Sequence, residues 1–371
     1  AGFGHEKLMI VTDAMIVQLG LLKDLTDALE SGGASYAVFD EITPDAPIPL
    51  IERGIDFYRA HGCDAIVAVG GGSSMDAAKA IAVSVANPGK PLRRLAGYFK
   101  GLRNPVAVYA VPTTAGTGSE VTVAAVMADP EKETKLVIVD TRIVPKMAAL
   151  DPALMTGLPP HITAATGMDA LTHAVESFVG KWATDATDSL GLSAVGLIFE
   201  NLRTAYQDGA NLAAREKMAL AATYAGMAFT RANVGYVHAI AHQFGGKYHT
   251  PHGLANAIML PHVLEFSLPA ITGRLARLAV RAGLGAEGEG EKVLAAKFVA
   301  GVVELNRDLG IPAYLEALRA EDIPALATAA RHEAEIGYPV PRYMTQGQCE
   351  AIIRSVLPPA APSRRRRKAA A

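Results

Sequence analysis

The sequence predicts a two-part protein, with an α/β amino-terminal half around a mostly parallel sheet and an all-helical carboxy-terminal half. Three observations carry that expectation. Up to about Leu150, short β-rich apolar runs alternate with amphipathic helical stretches, the rhythm of a parallel sheet covered on both faces. From Asp151 the strand signals fade, and Ala/Leu/Met-rich runs broken by Gly and Pro continue to Ile353. At 371 residues the chain is also too long for one small core. Residues 1–154 are expected to form the α/β unit, residues 155–358 the all-helical unit and residues 359–371 a disordered basic tail. The texture changes near Pro152 to Pro160.

Lys7 to Val11 reads as a buried strand, with a helix over Leu19 to Leu29 behind it. Ser35 to Phe39 is a second strand, followed by a helix over Ile51 to Ala60. Ala65 to Val69 is a third strand, running directly into Gly70-Gly71-Gly72-Ser73-Ser74 and a helix over Asp76 to Ala86. Val106 to Val111 is a fourth, ending in a polar, glycine-bearing loop over Thr113 to Glu120; Leu136 to Val139 and Met147 to Leu150 supply further strands.

Composition narrows the class. Half of the residues are apolar, 19% are charged and the formal net charge is −2, so no nucleic-acid partner is expected. The two cysteines, Cys63 and Cys349, lack metal or redox spacing, which fits a reducing cytoplasm. No signal peptide is visible, and no apolar run reaches the roughly 18–20 residues that span a bilayer, so no membrane partner is expected either. In Ser363 to Ala371 five consecutive cations repel one another, as in a solvated tail.

The stretch richest in chemistry is Gly235 to Gly253, which holds four of the ten histidines: His238, His242, His249 and His252. His238 and His242 share one face of a helix by their spacing. Gly245-Gly246 then reads as a break that lets His249 and His252 return toward the same point. Earlier, Asp169, His173 and Glu176 form a polar stripe beside the apolar stripe Met168, Leu171, Val175 and Phe178. One carboxylate and two or three imidazoles make a site for divalent iron, zinc, nickel or manganese. Ala239 stands where the H-E-x-x-H pattern needs its general base, so a hydrolase has no evident base. The glycine loops after the third and fourth strands lie at the carboxyl ends of neighbouring strands, where open α/β sheets bind ligands. With Asp13 and Asp40 ending the first two strands, they suggest a nucleotide-sized ligand.

With these residues in view the chain resembles the iron-dependent (group III) alcohol dehydrogenase family. The resemblance runs from about Lys7 to Arg354 and rests on D-P-A-L-M-T-G-L-P-P…G-M-D-A-L-T-H-A-V-E and G-Y-V-H-A-I-A-H-Q-F-G-G-K-Y-H-T-P-H-G. It implies the dehydroquinate synthase-like fold, with an active site between the two halves. It implies Asp169, His173, His238 and His252 as ligands of Fe²⁺, with Zn²⁺ or another divalent ion as substitute, and leaves Glu176 and His249 as non-ligands. His242 would face substrate and nicotinamide as the catalytic proton relay, and Phe229 would line the substrate pocket. For NAD it implies Gly71, Gly72 and Ser73 at the pyrophosphate, and Thr113, Thr114, Thr122, Lys135 and Leu154 along the groove. Asp13 would favour NAD over NADP at the adenosine ribose, and Asp45, where relatives often carry Asn, would touch the adenosine part. The segment before the first strand, Ala1 to Glu6, is shorter than the family's usual one, which helps to pair subunits. A homodimer or larger homo-oligomer is still expected.

The implied reaction passes hydride between a small primary alcohol or diol and NAD, giving the aldehyde. Rivals on the same parts are a hydroxyacid–oxoacid transhydrogenase or lyase with tightly held cofactor, a metallohydrolase acting without nucleotide, and a silent binding module.

Overall fold

The structure is a computed structural model that describes residues 4–132 and 134–359. The basic stretch Ser363 to Ala371 therefore lies outside the described residues. The first elements are β1 (Lys7–Val11), α1 (Ala14–Gln18), α2 (Lys23–Ser31), β2 (Ser35–Phe39), α3 (Ile48–His61), β3 (Ala65–Gly70) and α4 (Gly72–Ala86). There follow α5 (Leu92–Leu95), β4 (Gly97–Tyr98), β5 (Ala107–Pro112), β6 (Ala124–Asp129), β7 (Thr134–Val139) and β8 (Met147–Ala148). The main sheet has the order β2-β1-β3-β5-β8, parallel throughout. Its strands alternate between two cores because successive side chains point to opposite faces. Met9, Val11, Ile66 and Ala68 pack with Ile51, Met75 and Ile81 on one side. Leu8, Ile10, Val67 and Val69 pack with Ile16, Leu22 and Leu29 on the other.

Three features of this half differ from the sequence expectation, the first being that the helix read over Leu19 to Leu29 begins only at Lys23, after a turn over residues 19–22. A second sheet, β4-β7-β6, joins the antiparallel hairpin β6–β7 to the short β4, so the strand read at Leu136 to Val139 does not belong to the main sheet. Its partner β6 reads A-A-V-M-A-D and carries a single β-branched residue. Tertiary packing of Ala125 and Met127, and Arg93 Nε at 2.6 Å from the buried Asp129, hold it as a strand. In addition, α4 begins at Gly72, four residues before the expected helix, because Gly72-Ser73-Ser74 already forms its first turn.

Beyond Pro160 the elements are α6 (Pro160–Val179), α7 (Asp185–Gln207), α8 (Leu212–Ala232), α9 (Tyr236–Tyr248) and α10 (His252–Arg281). The last three are α11 (Glu291–Asp308), α12 (Ile323–Gly337) and α13 (Gln346–Arg354). Gly245-Gly246 does not break the chain: α9 runs through both glycines and stops at His249, whose backbone is left-handed at φ 55°. Glycine costs a helix only about 1 kcal/mol, which packing offsets. Pro251 then starts α10, with His252 as its first residue. Among the described residues α10 alone is long and apolar enough to cross a membrane by length and composition, a length the sequence reading had not credited to any stretch. Most of its apolar stretch, 61%, is buried inside the protein, and His252 and Asn256 lie in its first turns.

The two halves meet where the loop after β5 crosses α8. Gly118 is left-handed at φ 61°, and a Cβ on Gly226 of α8 would lie 2.8 Å from the Gly118 carbonyl oxygen and 2.9 Å from its Cα. Backbone cannot rotate away as a side chain can. Gly226→Ala therefore pits a helix-propensity gain of about 1 kcal/mol against an overpacking cost of ~1–3 kcal/mol. A net fall in thermal midpoint is expected in a melting experiment; a rise would mean the crossing is looser than described.

Candidate active site

Four side chains of the helical half converge. One ligand atom from each of Asp169, His173, His238 and His252 lies within 4.8 Å of the others. Asp169 and His173 stand one turn apart on α6, and His238 sits in the first turn of α9. His252 arrives at the start of α10 because Gly253 lets that helix approach α6: a Cβ there would sit 2.3 Å from the Ala165 carbonyl oxygen. Of the two other histidines of the sequence cluster, His242 lies one turn further along α9 and His249 is exposed at the end of α9 and does not return to this point.

The lone pairs share one target. The Asn256 amide nitrogen donates to Asp169 Oδ1 at 2.7 Å and lies 3.2 Å from Nε2 of both His238 and His252. His252 Nε2 is 3.5 Å from Asp169 Oδ1, and His173 Nδ1 is buried without a hydrogen-bond partner. Burial holds the imidazoles neutral: His173 lies below its ordinary value, His238 well below it, and His252 is pushed down to about 4 despite the pull of Asp169. Neutral imidazoles keep their lone pairs for coordination, so one carboxylate and three such rings fit a divalent ion of borderline softness.

Each histidine of α9 has a carboxylate behind it. Glu176 Oε2 lies 2.6 Å from His238 Nδ1 and 2.9 Å from the Gly235 N–H, while Oε1 takes the Val237 N–H at 2.8 Å. Burial raises the Glu176 carboxyl to about 7, against these donors. Glu176 thus braces the His238 ring from behind. His242 Nδ1 meets Glu333 Oε1 of α12 at 2.6 Å, and its ring stacks on His252 with centroids 5.3 Å apart. Phe229 stacks on His173 at 4.2 Å and forms an apolar wall against the cluster.

Of the residues expected at the dinucleotide, Asp13, Gly71 to Ser73, and Thr113 and Thr114 lie just past the carboxyl ends of β1, β3 and β5, whereas Asp45 precedes α3, Thr122 precedes β6, Lys135 is in β7 and Leu154 lies between β8 and α6. Between β1 and β3 the connections leave in opposite directions, which is the switch point where such sheets open a crevice. Asp13 caps α1 through Oδ1, accepting from Met15 and Ile16 N–H at 3.0 Å each. Gly71 is the N-cap of α4, and a Cβ on Gly72 would lie 2.7 Å from Thr117 Cγ2, so the glycine run packs closely on the loop after β5. Ser73 Oγ accepts from the Asp45 N–H at 3.1 Å, and Asp45 Oδ1 holds the Lys135 ammonium at 2.7 Å. Thr113 is buried, whereas Thr114 and Leu154 are half-buried. Thr122 points inward: its Oγ1 accepts from Lys79 at 3.0 Å. Lys79 also donates to Ser119 Oγ at 2.8 Å and to the Ala124 carbonyl at 2.9 Å. The sequence reading missed Lys79, Asn256 and Glu333. Asn256, one turn after His252, was within reach of a spacing argument; Glu333 carried no signal.

A sequence profile described as iron-containing alcohol dehydrogenase matches residues 1–152, and one for the carboxy-terminal part of the Fe-containing alcohol dehydrogenase family matches residues 163–357. The chain belongs to the iron-containing alcohol dehydrogenase family. It is 39% identical over 330 residues to a lactaldehyde reductase of Escherichia coli strain K12, covering 88% of this chain and 86% of that one. It is 38% identical over 356 residues to an NAD-dependent methanol dehydrogenase of Bacillus methanolicus, covering 95% and 93%. A crystal structure of 1,3-propanediol oxidoreductase superposes with a TM-score of 0.92 at 39% identity, covering 95% of this chain and 92% of that one. As a member of the iron-containing alcohol dehydrogenase family the chain is an oxidoreductase.

Glu176→Gln tests the brace. An amide presents a donor to backbone N–H groups that now meet a carboxylate. Affinity for Fe²⁺ or Zn²⁺ in chelator competition is expected to fall about 10–100-fold, and the thermal midpoint with it.

Proposed function

We propose that this oxidoreductase interconverts a small primary alcohol or diol and its aldehyde, using NAD and a divalent ion, with Fe²⁺ as the first choice. One observation carries the reading: a carboxylate and three imidazoles converge from α6, α9 and α10 beside the loop after β5, whose Gly116 packs against Thr166 of α6. The family membership and the names of the relatives support it. Residues 1–154 would serve as the dinucleotide unit and residues 155–358 as the metal-bearing unit.

When bound, the ion supplies Lewis acidity to an alcohol oxygen and the nicotinamide accepts hydride. The chain's own residues do the rest. Asp169, His173, His238 and His252 hold the ion; Gly71, Gly72, Ser73 and the first turn of α4 receive the pyrophosphate. Thr113, Thr114, Lys135 and Leu154 line the groove, and Thr122 shapes it from below. Phe229 offers an apolar wall that favours short carbon chains. His242 moves the alcohol proton at Nε2.

The deciding experiment measures NADH formation under anaerobic conditions by metal-stripped protein with and without Fe²⁺ or Zn²⁺, on ethanol, 1-propanol, 1,2-propanediol and 1,3-propanediol. Metal-dependent NADH is expected, and Phe229→Ala is expected to shift preference toward longer alcohols. If no NADH forms with any metal while NAD still binds, the reading fails in favour of a transhydrogenase or lyase.

Asp13 gives a separate test. Asparagine caps a helix as well as aspartate does, so Asp13→Asn keeps α1 while removing the charge that repels a 2′-phosphate. The ratio of kcat/KM for NADP over NAD is expected to rise about tenfold or more; an unchanged ratio would place the ribose elsewhere.

A further inference from the structure

We infer that Glu333 is a positioning residue that fixes which nitrogen of His242 faces the active site, an inference that rests on the proton role proposed for that histidine. Glu333 comes from α12, 91 positions downstream, and its carboxylate collects three donors. Oε1 takes His242 Nδ1 at 2.6 Å and the Tyr338 hydroxyl at 2.5 Å, while Oε2 takes the Gln243 amide at 2.9 Å. Burial works against its ionisation, yet the donors from His242, Tyr338 and Gln243 prevail and hold the carboxyl below its ordinary range. Tyr338 stays a phenol, because burial and the facing Glu333 push it well above the usual value. An ionised carboxylate can only accept. In its neutral form His242 therefore carries its proton on Nδ1 and keeps the lone pair on Nε2, which makes no hydrogen bond among the described residues.

Placement matches the task. The His242 ring is stacked on His252 at an interplanar angle of 17° and lies edge-on to His238 with centroids 6.0 Å apart, so it borders the ligand cluster. A histidine in the other tautomer would present a hydrogen where a lone pair is needed, which disables general-base action even with geometry intact. Gln243 and Tyr338 keep Glu333 from rotating away, since each occupies an oxygen of the same carboxylate.

The test compares wild type, Glu333→Ala, Glu333→Gln and His242→Asn. It reads metal content, NAD affinity, kcat and KM separately, and the long-range ¹H–¹⁵N spectrum of histidine-labelled, metal-free protein, with the His242 signals assigned by their loss in His242→Asn. The wild-type spectrum should show the Nδ1–H form. Glu333→Ala should release it toward Nε2–H and lower kcat by about tenfold to a hundredfold, with KM, metal content and NAD affinity within twofold of wild type. Glu333→Gln keeps an acceptor oxygen and should restore part of both signals. A Glu333→Ala protein with the wild-type tautomer, or one whose kcat falls only in proportion to metal lost, overturns the inference and leaves Glu333 as a tie between α12 and α9. If His242→Asn turns over like wild type, or wild type does not turn over at all, the proton reading fails separately, and the tautomer spectrum alone decides for or against Glu333 as the group that sets His242.

Discussion

The architecture depends on burying one carboxylate and three imidazoles at a single point inside an apolar helical core. Asp169, His173 and His238 are nearly inaccessible, and an uncompensated buried charge costs several kcal/mol. The compensation is local and specific. Asn256 donates to Asp169, Glu176 meets His238 Nδ1 at 2.6 Å, and burial disfavours charge on the rings, so Asp169 is the one carboxylate among the four converging groups. Small residues make the convergence sterically feasible. Gly253 lets α10 touch α6, and Gly235 leaves room for Glu176, whose Oε1 would lie 2.8 Å from a Cβ at that position.

A second buried polar cluster joins the loop after β5 to the helical half. Lys79 is fully buried and pushed down to about 8, mainly by that burial, with Asp76 and Glu120 pulling it back up. Asp76 accepts from Ser119 Oγ at 2.6 Å, and Glu120 accepts from Thr223 of α8 at 2.7 Å. The loop after β5 is thus held from below by α4 and from the side by α8, and the Gly118–Gly226 crossing fixes its height. Partly satisfied polar groups here would be costly, so the network makes the loop one defined shape. That rigidity lets a loop contribute to a site with the accuracy of a secondary-structure element.

Much of this was legible in the sequence because period and spacing report on single elements. The spacing of His238 and His242 placed them on one helix, and Asp169 and His173 on another; the glycine run after β3 marked the turn into α4. Convergence of Asp169 and His173 with His238 and His252 was not in the spacing. It came from the concentration of histidines and from the family resemblance. Errors arose where tertiary contacts override local preference. Gly245-Gly246 looks like a break but lies inside a helix whose stop is set by His249 and Pro251, and the alanine-rich β6 is a strand only because β7 and Arg93 make it one. Glu333 was invisible because nothing local distinguishes a carboxylate that meets a histidine 91 positions away.

The two histidines of α9 show how one motif divides labour. Each has Nδ1 2.6 Å from a carboxyl oxygen, which leaves Nε2 turned away from that partner. Their surroundings differ. His238 has a side chain 3% exposed and meets an Asp and two further imidazoles, whereas His242, one turn along, has a side chain 29% exposed and borders that set from outside. A buried ring with converging neighbours is suited to hold an ion, while a partly open ring beside it can exchange a proton with solvent. The same helical repeat thus sets a ring suited to hold an ion beside one suited to carry a proton, and their depth in the core is what distinguishes them.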